Sequence, residues 1–356
     1  MKELHYIMNK DTPVIEIETA RILNESMMPI SLRVKTLDTN TVTKWITQRA
    51  LQTSRKNADK IYKAAGFKQT NQEVELMYLT HSLSINDNYW IANEKELGNL
   101  RYENISLFRN SLNKAMYMVA LRGDDGFTLT DNKLSAEYTG QGTFPKCFIR
   151  ETDGIYLYKS GNRQDIANEI YACYIAEILG AKTVHYDYSK IEGIECTKSK
   201  IWTNESINWE TAFILSEFMN DYKYTPQQYA EQYLTKEYTE MIILDAIILN
   251  DDRHMKNWSF EIEADTNKII GLAPNYDYNN AFRATSKTMS NLLFNNNKKM
   301  NVLNAGREAY RRYGTTLRLK ELVSVLNNTN LPINKEAIKN RVLYITGQKD
   351  TPTDCY

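Results

Sequence analysis

The chain has 356 residues, of which 42% are hydrophobic and 25% are charged. This length and composition are typical of a globular protein built from two or three packed units. Lysine plus arginine and aspartate plus glutamate number 44 each. This charge balance argues against direct nucleic-acid binding and against a role at a membrane surface.

Cysteine usage and hydropathy predict the compartment. The four cysteines (Cys147, Cys173, Cys196 and Cys355) are scattered and form no CxxC pair, so we expect neither a disulfide framework nor a structural zinc site. The N-terminal segment has charges and a proline where a signal peptide needs an apolar core, and no run of about 18 apolar residues could span a bilayer. We therefore expect a soluble, cytoplasmic protein without a membrane partner.

Residues 1–115 form a leading region of undetermined fold. Strand-like alternation at residues 14–17 is followed by a predicted helix over residues 41–65. Seven Lys or Arg residues and one Asp lie between Lys44 and Lys68. This basic stretch indicates either a solvated helix face or a contact surface for nucleic acid or an acidic partner.

A hairpin and a helix are predicted next. Residues 147–150 and 155–159 are strand-like, and the Asp153-Gly154 pair between them is a hairpin signal. Apolar positions that recur every four residues predict an amphipathic helix over residues 165–179, which a glycine ends.

The remaining elements are mostly helical. We predict a strand that ends at residues 212–215 and a long helix over residues 229–249, whose last two turns are apolar nearly all round and therefore buried. Two further strands, residues 258–262 and 269–272, form a second hairpin around a polar turn.

This order of elements predicts an α+β, two-lobed, protein-kinase-like fold with a smaller β-containing N-lobe and a mostly helical C-lobe. The predicted domains are the extra N-terminal region (1–115), the kinase N-lobe (116–220) and the helical C-lobe (221–356).

Polar side chains crowd the end of the buried helix, in the run N-D-D-R-H-M-K-N over residues 250–257. The second hairpin separates this loop from another carboxylate, Asp277. Phosphoryl transfer uses one carboxylate to orient the acceptor hydroxyl and a second carboxylate with an amide to hold magnesium. We predict Asp252 as the base, Asn257 and Asp277 as metal ligands, and His254 as a phosphate contact or a support for the loop.

A glycine-containing segment, residues 139–146, lies immediately before the first hairpin and is called the glycine segment below. Gly140 and Gly142 allow backbone N–H groups to approach phosphate oxygens, and Lys146 adds positive charge. Lys159, near the end of the second hairpin strand, is the predicted partner of the nucleotide phosphates.

Residues 216–220 follow the predicted strand and lead into the helical half. A segment that joins two lobes is where backbone groups hold an adenine edge in such enzymes. Glu217 and Met219 are therefore candidate nucleotide-binding residues.

The run from Leu244 to Trp258 resembles the catalytic loop of HipA-like serine/threonine kinases, commonly N-x-D-R-H-x-x-N, and more distantly the loop of phosphatidylinositol kinases. The resemblance covers roughly residues 135–345. It implies that Asp252 is the catalytic base, and that Asn257 and Asp277 bind magnesium. The family's glycine-containing loop resembles the glycine segment, although its spacing differs. The family's nucleotide-binding lysine falls on Lys159, and its interlobe glutamate matches Glu217.

The resemblance implies a kinase that uses ATP and Mg²⁺ and phosphorylates a serine or threonine of a protein substrate. In the toxin subgroup of the family it also implies growth regulation with a DNA-binding antitoxin partner. Residues 1–115 do not match the N-terminal barrel of that subgroup, so this role stays open. The alternatives are a kinase for a small molecule or a lipid headgroup, and a nucleotide-binding regulator that acts with a DNA-binding partner.

Overall fold

The computed structural model describes residues 3–113, 115–126, 134–292, 294, 299–329 and 331–356. Its strands, in chain order, are β1 (His5–Asn9), β2 (Thr12–Glu16), β3 (Arg21–Ile22), β4 (Tyr89–Asn93), β5 (Lys146–Glu151), β6 (Gly154–Ser160), β7 (Asp187–Ile191), β8 (Ile194–Lys200), β9 (Ile207–Thr211), β10 (Ser259–Glu263) and β11 (Lys268–Leu272). Its helices are α1 (Thr39–Arg49), α2 (Ala58–Ala64), α3 (Glu73–Leu79), α4 (Arg163–Leu179), α5 (Ala212–Asp221), α6 (Pro226–Tyr233), α7 (Thr235–Ile248), α8 (Val302–Tyr313), α9 (Leu319–Asn328) and α10 (Lys335–Ile345).

The chain divides into two compact units. Unit 1 comprises residues 1–161, 189–210 and 262–270, and unit 2 comprises residues 162–188, 211–261 and 271–356. The predicted division at residues 115 and 220 follows different boundaries and stays a prediction about domains.

The strands form three sheets, with the orders β3-β2-β1-β4, β5-β6-β8-β7 and β11-β10-β9. The first hairpin is confirmed, because β5 and β6 pair antiparallel from Lys146↔Lys159 to Glu151↔Gly154. The second hairpin corresponds to β10 and β11, also as predicted. Among the helices of the described segments, none combines the length and hydropathy that crossing a bilayer requires.

The predicted helix at residues 165–179 is confirmed as α4, which begins two residues earlier. Asn162 and Asp165 form a reciprocal capping box at its N-terminus, and Gly180 ends it with the left-handed φ of 72°. Such caps satisfy the N–H and C=O groups that a helix leaves unpaired at its ends. The local sequence therefore determines both ends of this helix.

Two of the predicted long helices are each divided into two. Residues 41–65 contain α1 and α2, and residues 229–249 contain the end of α6 and the whole of α7. The first division arises because residues 50–57 leave the helical conformation, and Leu51 donates its N–H to the Tyr138 carbonyl at 2.7 Å. The second division falls at Leu234, where the backbone is not helical (φ −130°).

The prediction of a strand at residues 212–215 is wrong. The strand β9 ends at Thr211, and the Thr211 hydroxyl accepts the N–H of Ile214, so that Thr211 caps α5. The short apolar run Ala-Phe-Ile-Leu is compatible with either conformation by periodicity alone, and the cap decides for the helix.

Glu210 is a buried carboxyl of unit 1 and makes stability depend on pH. Burial, opposed by a hydrogen bond from Ser31, raises the pKa of Glu210 to about 7. Among the described residues its Oε2 has no hydrogen-bond partner. The folded state favours the protonated acid. The contribution of Glu210 to the free energy of unfolding is therefore fully present below the ordinary carboxyl pKa and is lost as the pH rises through about 7.

We therefore expect Glu210→Gln to raise the melting temperature at about pH 8 and to leave it unchanged at about pH 4, where the carboxyl is already neutral. Differential scanning calorimetry at the two pH values measures this. A change of the same size at both pH values would contradict the assignment, since a packing effect does not depend on protonation.

Candidate active site

The buried helix α7 delivers the polar run of residues 250–257. Ten of its residues, from Tyr238 to Ile248, are buried, and Leu249 ends it in the left-handed conformation with φ 48°. The N–H of Asn250 then donates to the Asp245 carbonyl at 2.9 Å and completes the last turn of the helix. The next residues therefore start from a point that the core of unit 2 holds in place.

Asp245 and Arg253 form a buried ion pair behind this loop. Arg253 Nε lies 3.1 Å from Asp245 Oδ2, and Arg253 Nη2 lies 3.0 Å from Oδ1. Asn250 Nδ2 also donates to Asp245 Oδ1 at 3.0 Å. Burial by itself lowers the pKa of Arg253, but the Asp245 carboxylate outweighs burial and the net pKa is raised. The guanidinium therefore stays charged.

The third guanidinium nitrogen of Arg253, Nη1, contacts two segments that are distant in sequence. Arg253 Nη1 donates to the Asn257 carbonyl at 2.6 Å and to the Tyr276 carbonyl at 2.7 Å. Tyr276 precedes Asp277 directly. One buried side chain thus holds the backbone beside both predicted metal ligands.

Asp252 and Asn257 are in direct contact. Asn257 Nδ2 donates to the Asp252 carbonyl at 2.8 Å and lies 3.4 Å from Asp252 Oδ2. Asn280 Nδ2 donates to the same carboxylate oxygen at 2.8 Å. The carboxylate is 35% exposed, so two amides orient it while a substrate hydroxyl can still reach it.

Asp277 has a backbone conformation that few residues adopt. Its φ is 60°, in the left-handed region that Asn and Asp tolerate better than other non-glycine residues. Its N–H donates to the Tyr186 hydroxyl at 3.2 Å. Burial, together with the nearby Glu169 and Asp277 carboxylates, raises the pKa of Tyr186 well above its ordinary value, so the tyrosine stays neutral and can support this turn.

The segment after Asp277 is attached to the end of α7. Phe282 donates its N–H to the Ile248 carbonyl at 2.6 Å, and Ala284 donates to the Leu249 carbonyl at 3.2 Å. Carbonyls at the C-terminal end of a helix lack an intrahelical N–H partner, and these two accept from the segment after Asp277 instead. Asp277 is therefore held on both sides, through Tyr276 by Arg253 and through residues 282–284 by α7.

The donor set suits magnesium. Asn257 Nδ2 donates hydrogen bonds to Asp252, so the amide oxygen Oδ1 of Asn257 is the atom that can ligate a cation. The Asp277 carboxylate supplies a charged oxygen, and magnesium prefers such hard ligands completed by water and phosphate oxygens. Asn257 and Asp277 are thus chemically fit for the role predicted for them, which stays a prediction.

His254 supports the loop in this structure. The ring Nδ1 of His254 accepts the Lys256 N–H at 3.2 Å, and the backbone N–H of His254 donates to the Asp252 carbonyl at 2.8 Å. His254 Nε2 lies 3.7 Å from Asp252 Oδ1. The ring is about half exposed, so its geometry agrees with the supporting role, and a phosphate contact stays a prediction.

The glycine segment and Lys159 lie in unit 1. Lys146 and Lys159 are directly opposite in the β5–β6 ladder. Lys159 is buried, with Nζ 5.0 Å from the centre of the Phe144 ring, so the glycine segment and the lysine are neighbours. Lys146 Nζ donates to the Gln141 carbonyl. The phosphate-binding roles of Gly140, Gly142, Lys146 and Lys159 stay predictions.

Glu217 and Met219 lie on α5 instead of an extended segment. The side chain of Met219 is buried, and its carbonyl accepts the N–H groups of Tyr222 and Tyr224. This carbonyl is therefore already used, which weakens the argument that it holds an adenine edge. The nucleotide-binding roles of Glu217 and Met219 stay predictions. The backbone at both residues is helical and not extended.

The basic stretch from Lys44 to Lys68 does not form a continuous cationic surface. Arg49 pairs with Asp87 in the interior, with Nη1 2.5 Å from Oδ2, and Arg55 is buried. Lys60 and Lys63 both lie 3.4 Å from the Asp125 carboxylate. Four of its seven cations are thus turned inward or share an acidic partner. This arrangement argues against the interpretation of the stretch as a contact surface for nucleic acid.

The sequence analysis assigned no role to three residues of this site, Asp245, Arg253 and Asn280. A signal existed for the first two, because Asp245 interrupts the apolar run of α7, and an acid in such a position needs a buried partner. No local signal exists for Asn280, which meets Asp252 only through the tertiary fold.

No protein-family model matches the chain, and a search of curated proteins finds no similar sequence. Among solved structures, the chain is similar to HipA from the complex of Shewanella oneidensis MR-1 HipA, HipB and operator DNA, a toxin–antitoxin system. The two are 11% identical with a TM-score of 0.57, and 99% of each chain is covered. The Helicobacter pylori proinflammatory kinase CtkA is 17% identical with a TM-score of 0.46, over 58% of this chain and 89% of that chain.

The similarity to HipA extends over the whole chain and shows the fold. This protein has the α+β fold of HipA-like kinases. The resemblance seen in the catalytic loop predicted this fold, and the prediction is confirmed.

Proposed function

We propose that this protein is a HipA-like kinase that uses ATP and Mg²⁺ to phosphorylate a serine or threonine of another protein. The observation that carries the proposal is the shared anchoring of the catalytic loop and of Asp277 by the buried Arg253. The fold of HipA is consistent with it. Phosphoryl transfer uses a carboxylate that orients the acceptor hydroxyl and oxygen ligands that hold magnesium, and Asp252, Asn257 and Asp277 can supply these groups.

In this proposal Asp252 orients the acceptor hydroxyl and takes its proton as the bond from the hydroxyl oxygen to the γ-phosphorus of ATP forms and the bond to the leaving ADP breaks. Asn257 holds the Asp252 carboxylate through Nδ2 and, with Asp277, would bind magnesium through oxygen atoms. Bound magnesium supplies charge stabilisation for the phosphate oxygens. Lys159 and the glycine segment with Lys146 would neutralise and cradle the nucleotide phosphates.

A partner and a compartment belong to the same proposal. The solved HipA structure contains HipB and operator DNA, and we propose a DNA-binding protein partner here by analogy, with a toxin–antitoxin role as its purpose. Because four of its seven cations are buried or share an acidic partner, the basic stretch supports recruitment of DNA through a partner over direct binding. All four cysteines are buried free thiols, which supports the cytoplasm as the compartment.

The class of acceptor is tested by phosphate transfer from radiolabelled ATP. We would compare protein acceptors in a cell lysate with inositol lipids and with small alcohols, with and without Mg²⁺. Labelling of protein at serine or threonine supports the proposal. Labelling confined to lipids or small alcohols would overturn the protein-kinase assignment and leave a phosphotransferase, and no transfer to any acceptor would refute the kinase.

The metal role of Asp277 gives a separate prediction. Asp277→Asn removes the charge but keeps a side chain that tolerates the φ of 60°. We expect the affinity for ATP in the presence of Mg²⁺ to fall by about tenfold or more, because a charged ligand is lost. Affinity without Mg²⁺ should change little. Isothermal titration calorimetry in both conditions measures this.

Asp277→Ala is the companion variant. It should lose affinity in the same way and should also be less stable, because alanine in the left-handed region costs about 1–2 kcal/mol. Equal Mg²⁺-dependent affinity in the wild type and both variants would remove Asp277 from the metal site.

A further inference from the structure

Residues 48–56, called the brace segment below, run alongside the glycine segment. They include the end of α1 and most of the connection to α2. Leu51 donates its N–H to the Tyr138 carbonyl at 2.7 Å, and Lys56 donates to the Thr143 carbonyl at 3.0 Å. The backbone of the brace segment therefore contacts Thr143 within the glycine segment and the residue just before Thr139.

Gln141 adds side-chain contacts between the same two segments. Its Nε2 donates to the carbonyls of Gln48 at 2.9 Å and Ala50 at 3.2 Å. Its Oε1 accepts from Gln52 Nε2 at 2.8 Å. A residue between the two glycines is thus attached to the brace segment at three points, which restricts a stretch that glycine would otherwise leave flexible.

Arg55 is the centre of this contact. It is 2% exposed, and its Nη2 donates to the Lys146 carbonyl, the last residue of the glycine segment. A Cβ atom at Gly140 would lie 2.5 Å from Arg55 Nη1. Gly140 is therefore glycine because the guanidinium packs against its backbone, and Arg55 contacts both ends of the turn.

Stability alone does not explain a buried arginine in this position. Among the described residues, its Nε and Nη1 have no hydrogen-bond partner. Burial lowers the pKa of Arg55 to about 10, although the Glu137 carboxylate opposes this change. An incompletely paired buried charge costs free energy, and an apolar residue of similar volume is often as stable or more stable.

We propose that the brace segment holds the glycine segment in its nucleotide-binding conformation, with Arg55 as the positioning residue. This inference rests on the proposed function as an ATP-dependent kinase. Phosphate is bound by backbone N–H groups, which act together only when the turn has one conformation. Holding that conformation before ATP arrives removes an entropic cost from binding. The inference gives residues 48–56 of the N-terminal region a role in nucleotide affinity.

The test is the variant Arg55→Met in the full chain, with Mg²⁺-ATP as the titrant in isothermal titration calorimetry. We expect the dissociation constant to rise about tenfold, while the melting temperature stays the same or increases. In steady-state assays the KM for ATP should rise with little change in kcat, because the chemistry in unit 2 is untouched. Arg55→Lys, which keeps one donor for the Lys146 carbonyl, should bind ATP with intermediate affinity.

Lys56→Met is the matched control, since it removes a neighbouring positive charge that is exposed. It should bind ATP like the wild type. Gln141→Ala is an independent variant of the same contact and should also weaken binding, so the test stands even if Arg55→Met does not fold.

The outcomes separate this inference from the proposed function. Wild-type affinity in both Arg55→Met and Gln141→Ala, with a weakened Asp277→Asn, would overturn the brace and leave the kinase intact. Equally weakened binding of Mg²⁺-ATP by Lys56→Met would also overturn the brace, because the loss of any nearby positive charge would then explain the effect. A wild-type protein that binds no Mg²⁺-ATP would overturn both.

Discussion

Replacing Asp252 by asparagine should lower phosphate transfer from ATP by about 10²–10⁴-fold while the protein stays folded. Asparagine keeps an oxygen that can accept from the amides of Asn257 and Asn280, which contact the carboxylate in the wild type. It cannot take a proton from the acceptor hydroxyl. The measurement is labelled-phosphate transfer by purified wild type and variant, with thermal unfolding to compare their stability.

Asp251→Asn is the matched control for this prediction, because the same substitution is made one residue away. The amide contact recorded at Asp251 uses its backbone carbonyl, which accepts from Asn291 Nδ2 at 2.9 Å and is unaffected by the change. This variant should keep most of its activity. Unchanged turnover in Asp252→Asn, or an equal loss in both variants, would count against Asp252 as the base.

Arg253→Met should reduce the free energy of unfolding by about 3–5 kcal/mol, the range for removing one partner of a buried ion pair. The change leaves the Asp245 carboxylate buried, with Asn250 as its one remaining side-chain donor among the described residues. It also removes the donors to the Asn257 and Tyr276 carbonyls. Urea denaturation followed by circular dichroism measures the loss, and phosphate transfer should fall as well.

The double variant Asp245→Leu with Arg253→Met separates the two roles of this arginine. With both charges gone the core is apolar, and much of the stability should return. Phosphate transfer should remain low, because the carbonyls of Asn257 and Tyr276 then lose the donor that they share. A double variant that is stable and fully active would show that Arg253 only offsets a charge and does not position the site.

Arg253 explains how a loop and a distant turn are held together. The loop residues follow a helix that is buried on nearly all sides, and Asp277 comes about 20 residues later, after the second hairpin. A single guanidinium has enough donors to bind the Asp245 carboxylate through Nε and Nη2 and two backbone carbonyls through Nη1. Lysine could not make this set of contacts, because its ammonium is a compact charge without a planar fork.

Several elements could be predicted from local sequence because their determinants are local. The turn chemistry of Asp153-Gly154 predicts the first hairpin, and the apolar period with a terminal glycine predicts α4. The last two turns of α7, apolar with one acid, predict a buried helix end, and the polar run after it predicts the catalytic loop. The acid, amide and acid of the candidate site can be predicted from the sequence as well, because they follow the buried helix and the second hairpin.

Other features depend on partners that are far away in the sequence. The helix predicted over residues 41–65 is interrupted because Leu51 and Lys56 bond to residues near the glycine segment, about 90 positions later. The apolar run at residues 212–215 has a local helix signal in the Thr211 cap, but its first two N–H groups are paired far along the chain, where Ala212 and Phe213 donate to the Trp258 and Met255 carbonyls. These distant contacts leave no pattern within the segment itself.

By itself, the sequence determined which side chains follow α7, and so which groups the candidate site has available. Only the tertiary structure decided what holds each segment: Arg253 contacts the backbone beside Asn257 and Asp277 in unit 2, and Arg55 contacts the glycine segment in unit 1. The physical reason is that side-chain type and periodicity are properties of a short window. A buried hydrogen bond between residues tens of positions apart becomes visible only when the chain is folded.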